Sequence, residues 1–397
     1  MASSTANESS TQFLRDGSVA AGLIVAVGLV FIVDLFTKPV EKPVVANEVI
    51  TTPPAPEPEP IPLKIMVTDP QFDDMGRLLN TLGSGFHYTT ISVESLVDAK
   101  TLEKADVLFL TCGGVPSSWV DKIVGQAERG QQYVELKRDI YERARDNLRD
   151  FVKRGGTLYA SDERFSMVAD MFPDMQAFGH PQLGKAQTVT AKVVDPGLSG
   201  LVGEQIELPF DKPGWVPAAF REGEVSILMR GSYLGLDNKE YESPLLARFK
   251  AGEGFVIFTS FHNEKVNGEL ATKLLKYLVF ATVLAKTEEK TAEITTSGGF
   301  STKGKSLLSA TSADPSITRI YKCTKAGPLR FVLGFEQRGA SLKLSVTSPD
   351  GRQHEKEGTS TFQIDIPDAA VGDWKYTITA LKMPYDNFPY SLNIGAK

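Results

Sequence analysis

An apolar run of strand length that ends in a histidine is the feature that most constrains how this chain can fold. Residues 254–264 read GFVIFTSFHNE, so an imidazole at His262 and a carboxylate at Glu264 directly follow the apolar residues. In α/β enzymes, a general base and the acid that orients it stand at the carboxyl edge of a parallel sheet. The run therefore predicts a buried strand with a candidate base at its end.

Short apolar runs alternate with helical patterns from Leu63 to Lys286. The runs predict strands at 63–67, 88–92, 105–110, 157–160, 187–194, 225–230 and 255–260. Apolar residues at helical spacing predict helices at 73–83, 133–154 and 266–284. Strands that alternate with helices imply a mostly parallel sheet covered on both faces. Residues 63–286 are therefore predicted to form an α/β domain with a flavodoxin-like parallel sheet.

A base needs a nucleophile, and Ser161 is the candidate at the end of an upstream strand. A nucleophile turn holds its residue at strained backbone angles and needs small residues two positions before and two after it. Those positions hold Tyr159 and Glu163. Ser161, His262 and Glu264 are thus the candidate catalytic residues of a scaffold whose catalytic turn is incomplete.

Four segments, in this order, resemble the class I glutamine amidotransferase-like superfamily. They are a strand ending in Gly-Gly (108–114), a Gly-Gly-x-Leu strand (155–161), a Gly-x-Val-x-Phe strand (254–258) and the His-x-Glu that follows it (262–264). In catalytic members, the nucleophile is a cysteine three residues after the leucine, the place of Ser161 here. Residues 243–263 are similar to the trehalose-utilisation-like branch, which is not a glutaminase branch. The resemblance implies the superfamily's fold without its usual nucleophile.

Further polar residues are predicted at the same sheet edge. The candidate ligand-binding residues are Cys112, Gly113, Gly114, Asp162, Glu163 and Asn263. The resemblance places Cys112 at the edge that supplies the oxyanion hole in active relatives. The simpler interpretations are that Cys112 is a small buried residue beside a Gly-Gly turn and that His262 is a hydrogen-bonded residue at a strand end.

The sequence predicts neither a metal nor a cofactor. The chain has no phosphate-cradling glycine loop, and its four histidines have no ligand-like mutual spacing. Asp69, Asp73 and Asp74 follow the first predicted strand, where a divalent cation is conceivable. Capping of the next helix by Asp69 or Asp73 is the simpler account.

Residues 19–36 form an apolar segment whose single charged residue is Asp34. As a helix it would be about 27 Å long, enough to cross a hydrocarbon core. The run is longer than the apolar core of a signal peptide, and no Ala-x-Ala site follows it. We therefore predict an N-terminal tail (1–17), a transmembrane helix (18–37) and a Pro-rich extended linker (38–62).

The predicted location is a bacterial inner membrane, spanned once by residues 18–37, with the bulk of the chain outside the cytoplasm. Lys38 and Lys42 slightly favour the opposite orientation, since positive residues prefer the cytoplasmic side. The extracytoplasmic prediction rests on a short N-terminal tail and on the secretory character of the last domain.

The hydrophobic period changes towards two after residue 303. Residues 287–302 are rich in Thr, Ser, Gly and Lys and are predicted to be a linker. Strands are predicted at 319–323, 329–335, 342–347, 360–366, 374–380 and 390–394. They suggest an antiparallel β-sandwich over 303–397. The Gly-x-Trp-x-Tyr-x-Ile run at 372–378 loosely resembles prepeptidase C-terminal-type modules.

Charge and cysteine content exclude some classes of protein. The formal net charge of −6 gives no support for a nucleic-acid partner. Two cysteines, Cys112 and Cys323, exclude a disulfide scaffold. The favoured function is a membrane-anchored, catalytically degenerate amidotransferase-like protein that serves as an interaction or scaffold component and has protein partners. The alternatives are a tethered hydrolase that uses Ser161, His262 and Glu264, and a module that binds a carbohydrate or another small polar ligand.

Overall fold

The structure is a computed structural model that describes residues 63–83, 85–126, 132–177, 181–262, 268–335 and 339–397. The predicted tail, transmembrane segment and Pro-rich linker lie outside these residues, as do Asn263 and Glu264. Within the described ranges, no helix combines the length and the apolar character that a membrane crossing requires. Residues 56–397 make up one compact unit by their contacts.

Eleven strands and five helices form the first part of this unit. The strands are β1 (Ile65–Thr68), β2 (Tyr88–Ile91), β3 (Val107–Leu110), β4 (Val120–Gln126), β5 (Gln132–Leu136), β6 (Thr157–Ser161), β7 (Gln187–Val193), β8 (Gln205–Phe210), β9 (Ser226–Leu234), β10 (Glu240–Ala251) and β11 (Gly254–Thr259). The helices are α1 (Met75–Thr81), α2 (Arg138–Lys153), α3 (Phe165–Met171), α4 (Pro196–Val202) and α5 (Glu269–Val283).

Nine of the strands form one mixed sheet in the order β2-β1-β3-β6-β11-β10-β9-β7-β8. The first five are parallel to one another, in the order expected of a flavodoxin-like sheet. The other four pair antiparallel, so the prediction of a mostly parallel sheet is wrong for this half. Only residues 235–239 separate β9 from β10, which is too short for a parallel crossover.

Alternate residues of the parallel strands point to opposite faces of the sheet, and each face has its own core. Val107 and Phe109 of β3 pack in the core that includes residues of α1, α4 and α5. Leu108 and Leu110 pack in the second core, with residues of α2 and α3. Burial on both faces explains why these strands are apolar throughout rather than alternating.

The helix predicted over 133–154 begins later than its apolar pattern indicates. Residues 132–136 instead form β5, which pairs antiparallel with β4, and α2 starts at Arg138. The turn that ends α2 at the predicted glycines is present, since Gly155 has a φ of 110°. The prediction was too long at its start because apolar residues of β5 happen to continue the helical spacing of α2.

Residues 301–396 form two four-stranded antiparallel sheets. The strands are β12 (Ser301–Ala310), β13 (Ser316–Cys323), β14 (Gly327–Gly334), β15 (Ser341–Thr347), β16 (Gln353–Gly358), β17 (Phe362–Ala369), β18 (Gly372–Lys382) and β19 (Phe388–Ala396). Their orders are β12-β19-β14-β17 and β13-β18-β15-β16. This is the arrangement of an eight-stranded jelly roll. The predicted sandwich thus gains β12 and β16, which the six predicted strands did not include.

The segment predicted as a linker, 287–302, is ordered and packed. It holds most of a sixth helix, α6 (Ala285–Thr296), and the start of β12. Thr287, Thr291 and Thr295 of α6 are buried. They share one helical face because they are four residues apart, and α6 lies against β14 and β19. A polar composition therefore concealed a helix that joins the two parts of the unit.

Candidate functional site

The carboxyl ends of β3, β6 and β11 bring three chemically active segments together. Cys112 follows β3, Ser161 ends β6 and Asp162 follows it, and Ser260 and His262 follow β11. The strands are direct neighbours in the sheet, so residues far apart in the sequence come into contact. The structure places the predicted residues Cys112, Ser161, Asp162 and His262 at this edge, together with Ser260, which was not predicted.

The sharp turn after β6 is centred on Asp162 rather than on Ser161. Ser161 has a φ of −134°, which is ordinary extended backbone. Asp162 has a φ of 46°, in the left-handed region where side chains other than Gly, Asn and Asp are rare. Two positions before Asp162 stands Ala160, a small residue, but two positions after it stands Arg164, so only the first of the two size requirements is met. The position of a strained turn residue is therefore held by a carboxylate.

The Ser161 hydroxyl is fully buried and takes part in two hydrogen bonds. It donates to Asp73 Oδ2 at 2.9 Å and accepts from the backbone N–H of Cys112 at 2.9 Å. Asp73 is itself buried and does not cap α1; that cap is Asp74, which accepts from the Arg77 N–H at 2.8 Å. Ser161 thus ties β6 to the segments that follow β1 and β3.

Asp162 lies between a thiol and an imidazole. Its Oδ2 is 3.0 Å from His262 Nε2 and 3.7 Å from Cys112 Sγ. The imidazole contact is an ion-pair contact, because the Nε2–H direction does not align with an acceptor as a hydrogen bond requires. The other carboxylate oxygen, Oδ1, accepts the Val216 N–H at 2.7 Å, which fixes the side chain.

The surroundings favour the protonated form of both of these partners. Burial opposes the charged form of His262, but Asp162 and other nearby carboxylates outweigh it and raise the pKa of the imidazole. Burial, reinforced by the charge of Asp162, raises the pKa of the Cys112 thiol far above its ordinary value. A buried thiol beside carboxylates is a poor nucleophile because the thiolate is the reactive form.

A cavity of about 240 Å³ opens beside Asp162 and His262. Its lining residues are Phe72, Asp162, Glu163, Pro209, Phe210, Asp211, Lys212, Pro213, Gly214, Trp215, Ser260 and His262. Trp215 stacks on Phe210 with ring centroids 3.9 Å apart. Lys212 Nζ lies 4.4 Å from the centroid of the Phe72 ring. The cavity therefore combines aromatic walls with charges of both signs.

The predicted site residues are only partly brought together by the fold. Asp162, Glu163 and His262 line the cavity, and Cys112 lies behind Asp162. Gly113 and Gly114 are not among the described residues of its lining. Asn263 and Glu264 fall outside the part of the chain that the structure describes.

Sequence reasoning missed the wall that residues 209–215 contribute. These residues, PFDKPGW, are the last two residues of β8 and the five that follow it, in the antiparallel half of the sheet, which was not predicted. A tryptophan after a Pro-Gly turn, with adjacent opposite charges at Asp211 and Lys212, is a signal that could have marked the segment.

No protein-family model and no curated protein matches the sequence. Solved structures similar to this chain include proteins described as glutamine amidotransferase-like. A GMP synthase component from Thermoplasma acidophilum is 15% identical, has a TM-score of 0.37, and is matched over 58% of this chain and 98% of its own. A glutamine amidotransferase from Thermotoga maritima is 10% identical, has a TM-score of 0.31, and is matched over 57% of this chain and 85% of its own.

A β-galactosidase from Bacillus circulans is matched over 79% of this chain and 41% of its own, at 13% identity and a TM-score of 0.31. At such identities and TM-scores, none of these likenesses says anything about activity. The finer resemblances, to the trehalose-utilisation-like branch and to prepeptidase C-terminal-type modules, stay predictions.

Proposed function

We propose that this chain is a membrane-anchored, catalytically degenerate amidotransferase-like protein that acts by binding. Its α/β part would bind a small polar ligand in the cavity at the sheet edge, and the whole chain would serve a membrane-associated assembly. The observation that carries the proposal is the turn after β6, where the carboxylate of Asp162 faces His262 at 3.0 Å. No hydroxyl or thiol stands at that turn position.

The geometry of Ser161 disfavours the hydrolase alternative. A serine nucleophile must give its proton to the base, which requires the base within hydrogen-bond reach. The Ser161 hydroxyl instead donates to Asp73 at 2.9 Å and is fully buried. Cys112 does not replace it, because its thiol is buried and its pKa is raised.

The cavity supports the ligand-binding alternative. Ser260 is 1% exposed, lines the cavity, and its hydroxyl has no hydrogen-bond partner among the described residues. A buried hydroxyl without a partner is costly, and a polar ligand atom or a water would remove that cost. The volume of about 240 Å³ is below the usual range for drug-sized ligands. A ligand of monosaccharide or amino-acid size fits this description.

Ligand-induced thermal shifts of the full chain in detergent test the binding proposal. A panel of neutral monosaccharides and free amino acids is expected to contain at least one compound that raises Tm. Lys212→Ala, at the cavity, should abolish that shift. Lys192→Ala is the matched control, since Lys192 is exposed on β7. A panel without any stabilising compound, or equal shifts in both variants, would contradict the proposal.

A serine-reactive fluorophosphonate probe separates binding from hydrolysis. We expect no labelling of the full chain, because the Ser161 hydroxyl is buried and bonded to Asp73. Labelling that disappears in Ser161→Ala would establish a reactive serine and overturn the degenerate assignment.

The anchoring part of the proposal rests on the apolar segment 18–37. The full chain should stay in the membrane pellet after alkaline carbonate extraction, and a reporter fused after Lys397 should be active outside the cytoplasm. Release by carbonate would refute anchoring, and a reporter active only inside would reverse the orientation.

The assembly role has its own test. Ile320 on β13 is 64% exposed, so a photo-crosslinker placed there can reach a neighbouring protein. We expect a discrete protein adduct in cells; adducts to lipid alone, or none, would argue against an assembly.

A further inference from the structure

Three donor atoms of different chemistry meet behind the cavity. Cys112 Sγ, Asp162 Oδ2 and His262 Nε2 all lie within 4.8 Å of one another. Asp162 Oδ2 is the central atom, 3.0 Å from the imidazole nitrogen and 3.7 Å from the sulfur. Ligands about 2.0–2.3 Å from a tetrahedral ion are separated from one another by roughly 3.3–3.6 Å. Small side-chain movements would therefore bring the three atoms to coordination geometry.

Each donor is held by the surrounding structure. Asp162 is fixed through Oδ1 by the Val216 N–H. Ser161 Oγ accepts the Cys112 N–H and so orients the end of β3. The ring of Phe72 stacks on His262 with an interplanar angle of 17°. Such outer contacts orient the ligands in metal sites and make them effective.

Ser260 Oγ lacks a hydrogen-bond partner among the described residues, and His262 Nε2 has a charge contact with Asp162 at 3.0 Å but no aligned hydrogen bond. Both atoms are buried, and Ser260 lines the adjoining cavity. An ion would satisfy the imidazole nitrogen, and a water bound to that ion could accept a hydrogen bond from the Ser260 hydroxyl. The Ser260 hydroxyl then gains the partner that buried polar atoms normally have.

We infer that Cys112, Asp162 and His262 form a transition-metal site of the zinc type, with an open coordination position that faces the cavity. A thiolate, an imidazole and a carboxylate suit Zn²⁺, and three protein ligands with one open position are typical of zinc sites that bind a further molecule. Binding requires the Cys112 thiolate and a neutral His262 whose Nε2 lone pair is free, so the thiol proton and the Nε2 proton of a protonated imidazole are both released to solvent.

The inference deepens the proposed binding role, since the open position would hold the polar atom of a ligand. It is tested separately from that role, because metal binding is measured without any ligand. Metal binding without ligand shifts would leave this inference standing and refute the ligand proposal. A ligand that raises the Tm of a protein that binds no metal would support the ligand proposal and refute this inference.

The experiment titrates the EDTA-treated full chain in detergent with Co²⁺, which reports on zinc sites by its absorption. We expect equimolar binding, a near-ultraviolet thiolate-to-cobalt charge-transfer band, and loss of that band when Zn²⁺ is added. Cys112→Ser should abolish the charge-transfer band. Cys323→Ser is the matched control, because Cys323 is the other cysteine, also buried and free, and lies in the jelly roll. His354→Ala, on β16, is the corresponding control for His262→Ala.

Asp162→Asn is a second ligand variant that is expected to fold. Asparagine tolerates the left-handed backbone and can still accept the Val216 N–H. This variant should keep the charge-transfer band, because Cys112 is unchanged. Its affinity for Co²⁺ should fall by more than the roughly 10- to 100-fold that the loss of a contact to a ligand costs. A band that persists in Cys112→Ser, a band that is lost in Cys323→Ser, or a folded wild-type chain that binds no Co²⁺ would each overturn the inference.

Discussion

Ser161 and Ser260 are two buried serines at one sheet edge with opposite hydrogen-bonding states. Ser161 makes hydrogen bonds to Asp73 and to the Cys112 N–H. The Ser260 hydroxyl has no partner among the described residues. A buried hydroxyl stabilises a fold only when it is bonded, so the two positions should respond differently to removal of the oxygen.

We predict that Ser161→Ala lowers the free energy of unfolding by about 1–3 kcal/mol, because two buried groups each lose a hydrogen-bond partner. Ser260→Ala, the matched control, should be neutral or slightly stabilising in the ligand-free and metal-free protein. Urea unfolding followed by circular dichroism measures both. Equal losses in the two variants would show that the serine contacts are not as described.

Gly254 begins β11 where two other backbone segments come very close. A Cβ atom there would stand 2.2 Å from the carbonyl oxygens of both Gly156 and Val152. Backbone atoms cannot move aside as a flexible side chain can, so the position requires glycine. The close contact joins the end of α2 to β6 and β11, the strands that carry Asp162 and His262 to the site.

Gly254→Ala should therefore destabilise the chain by about 1–3 kcal/mol, the usual cost of overpacking. Gly200→Ala is the control: Gly200 lies in α4 with nothing within 4 Å of its Cβ position. That control should be neutral or should gain up to about 1 kcal/mol from helix propensity. Thermal unfolding of the two variants compares them, and a Gly254→Ala protein as stable as the control would contradict the packing argument.

Residues at the site show what a single sequence can predict. His262 was expected at the end of a buried strand because an apolar run ends there, and the structure places it so. The bulky neighbours of Ser161 argued against a strained turn there, but the left-handed turn at Asp162 was not predicted, since φ at 162 depends on how the chain leaves the sheet. The Cys112–Asp162–His262 group has no local signal, because its members come from three strands and only the sheet order joins them.

At the scale of elements, one arginine of the jelly roll binds the C-terminal end of α6. Arg330 of β14 donates to the carbonyl oxygens of Ile294 and Ser297 at the end of α6, at 2.9 and 3.1 Å. It also donates from Nε to Asp365 Oδ1 on β17 at 2.6 Å. A cation at a helix C-terminus satisfies carbonyls that have no partner inside the helix. Arg330 thus links α6 to two strands of one sheet.

This link predicts a pH dependence of stability. The hydrogen bond from Arg330 lowers the pKa of Asp365 in the folded chain. A carboxyl whose pKa is lower when folded stabilises the fold above its unfolded pKa of about 4, and that stabilisation is lost as the pH falls through the folded pKa. Because the Asp365 side chain is 43% exposed, we expect less than about 1 kcal/mol.

Asp365→Asn should accordingly reduce the fall in Tm of the wild type between about pH 5 and pH 2. Asp373→Asn changes an exposed carboxyl on the other sheet and serves as the control. Scanning calorimetry across this pH range measures the effect. A wild type and an Asp365→Asn variant with the same acid dependence would refute it.

The elements that were predicted correctly are those whose side chains carry a strong apolar period. β3, β6 and β11 are apolar on both faces because helices cover both. The missed elements have polar side chains for a physical reason. β16, QHEKEG, is mostly exposed. The buried face of α6 is made of threonines; Thr291 and Thr295 bond their hydroxyls to the carbonyls four residues earlier, at 2.6 Å, and so can be buried.

At the scale of the whole described unit, a buried ion cluster joins the α/β sheet, α6 and the jelly roll. Glu288 of α6 is 3% exposed and lies 2.6 Å from Arg248 of β10. Lys305 of β12 is 2.7 Å from its other oxygen, as a charge contact without hydrogen-bond alignment. Asn387, before β19, adds a hydrogen bond of 2.7 Å to the carbonyl of Leu82, after α1. These contacts should make the two parts unfold together.

We predict one unfolding transition for both parts of the wild-type chain. Trp119 and Trp215 lie in the α/β part and Trp374 in the jelly roll. One variant keeps Trp215 alone and another keeps Trp374 alone, with phenylalanine at the other two positions. The fluorescence of each variant then follows the unfolding of one part. Their urea midpoints should coincide with each other and with the change in circular dichroism.

Glu288→Gln should separate these midpoints. The change leaves Arg248 and Lys305 without their buried counter-charge, a loss that costs about 3 kcal/mol or more when a buried pair is broken. The exposed neighbouring pair offers a control: Glu289→Gln removes the contact to Lys250, whose side chain is 43% exposed, and should cost less than about 1 kcal/mol. Two transitions already present in the wild type would show that the parts are independent. A Glu288→Gln chain that still unfolds in one undisplaced transition would show that the cluster does not couple them.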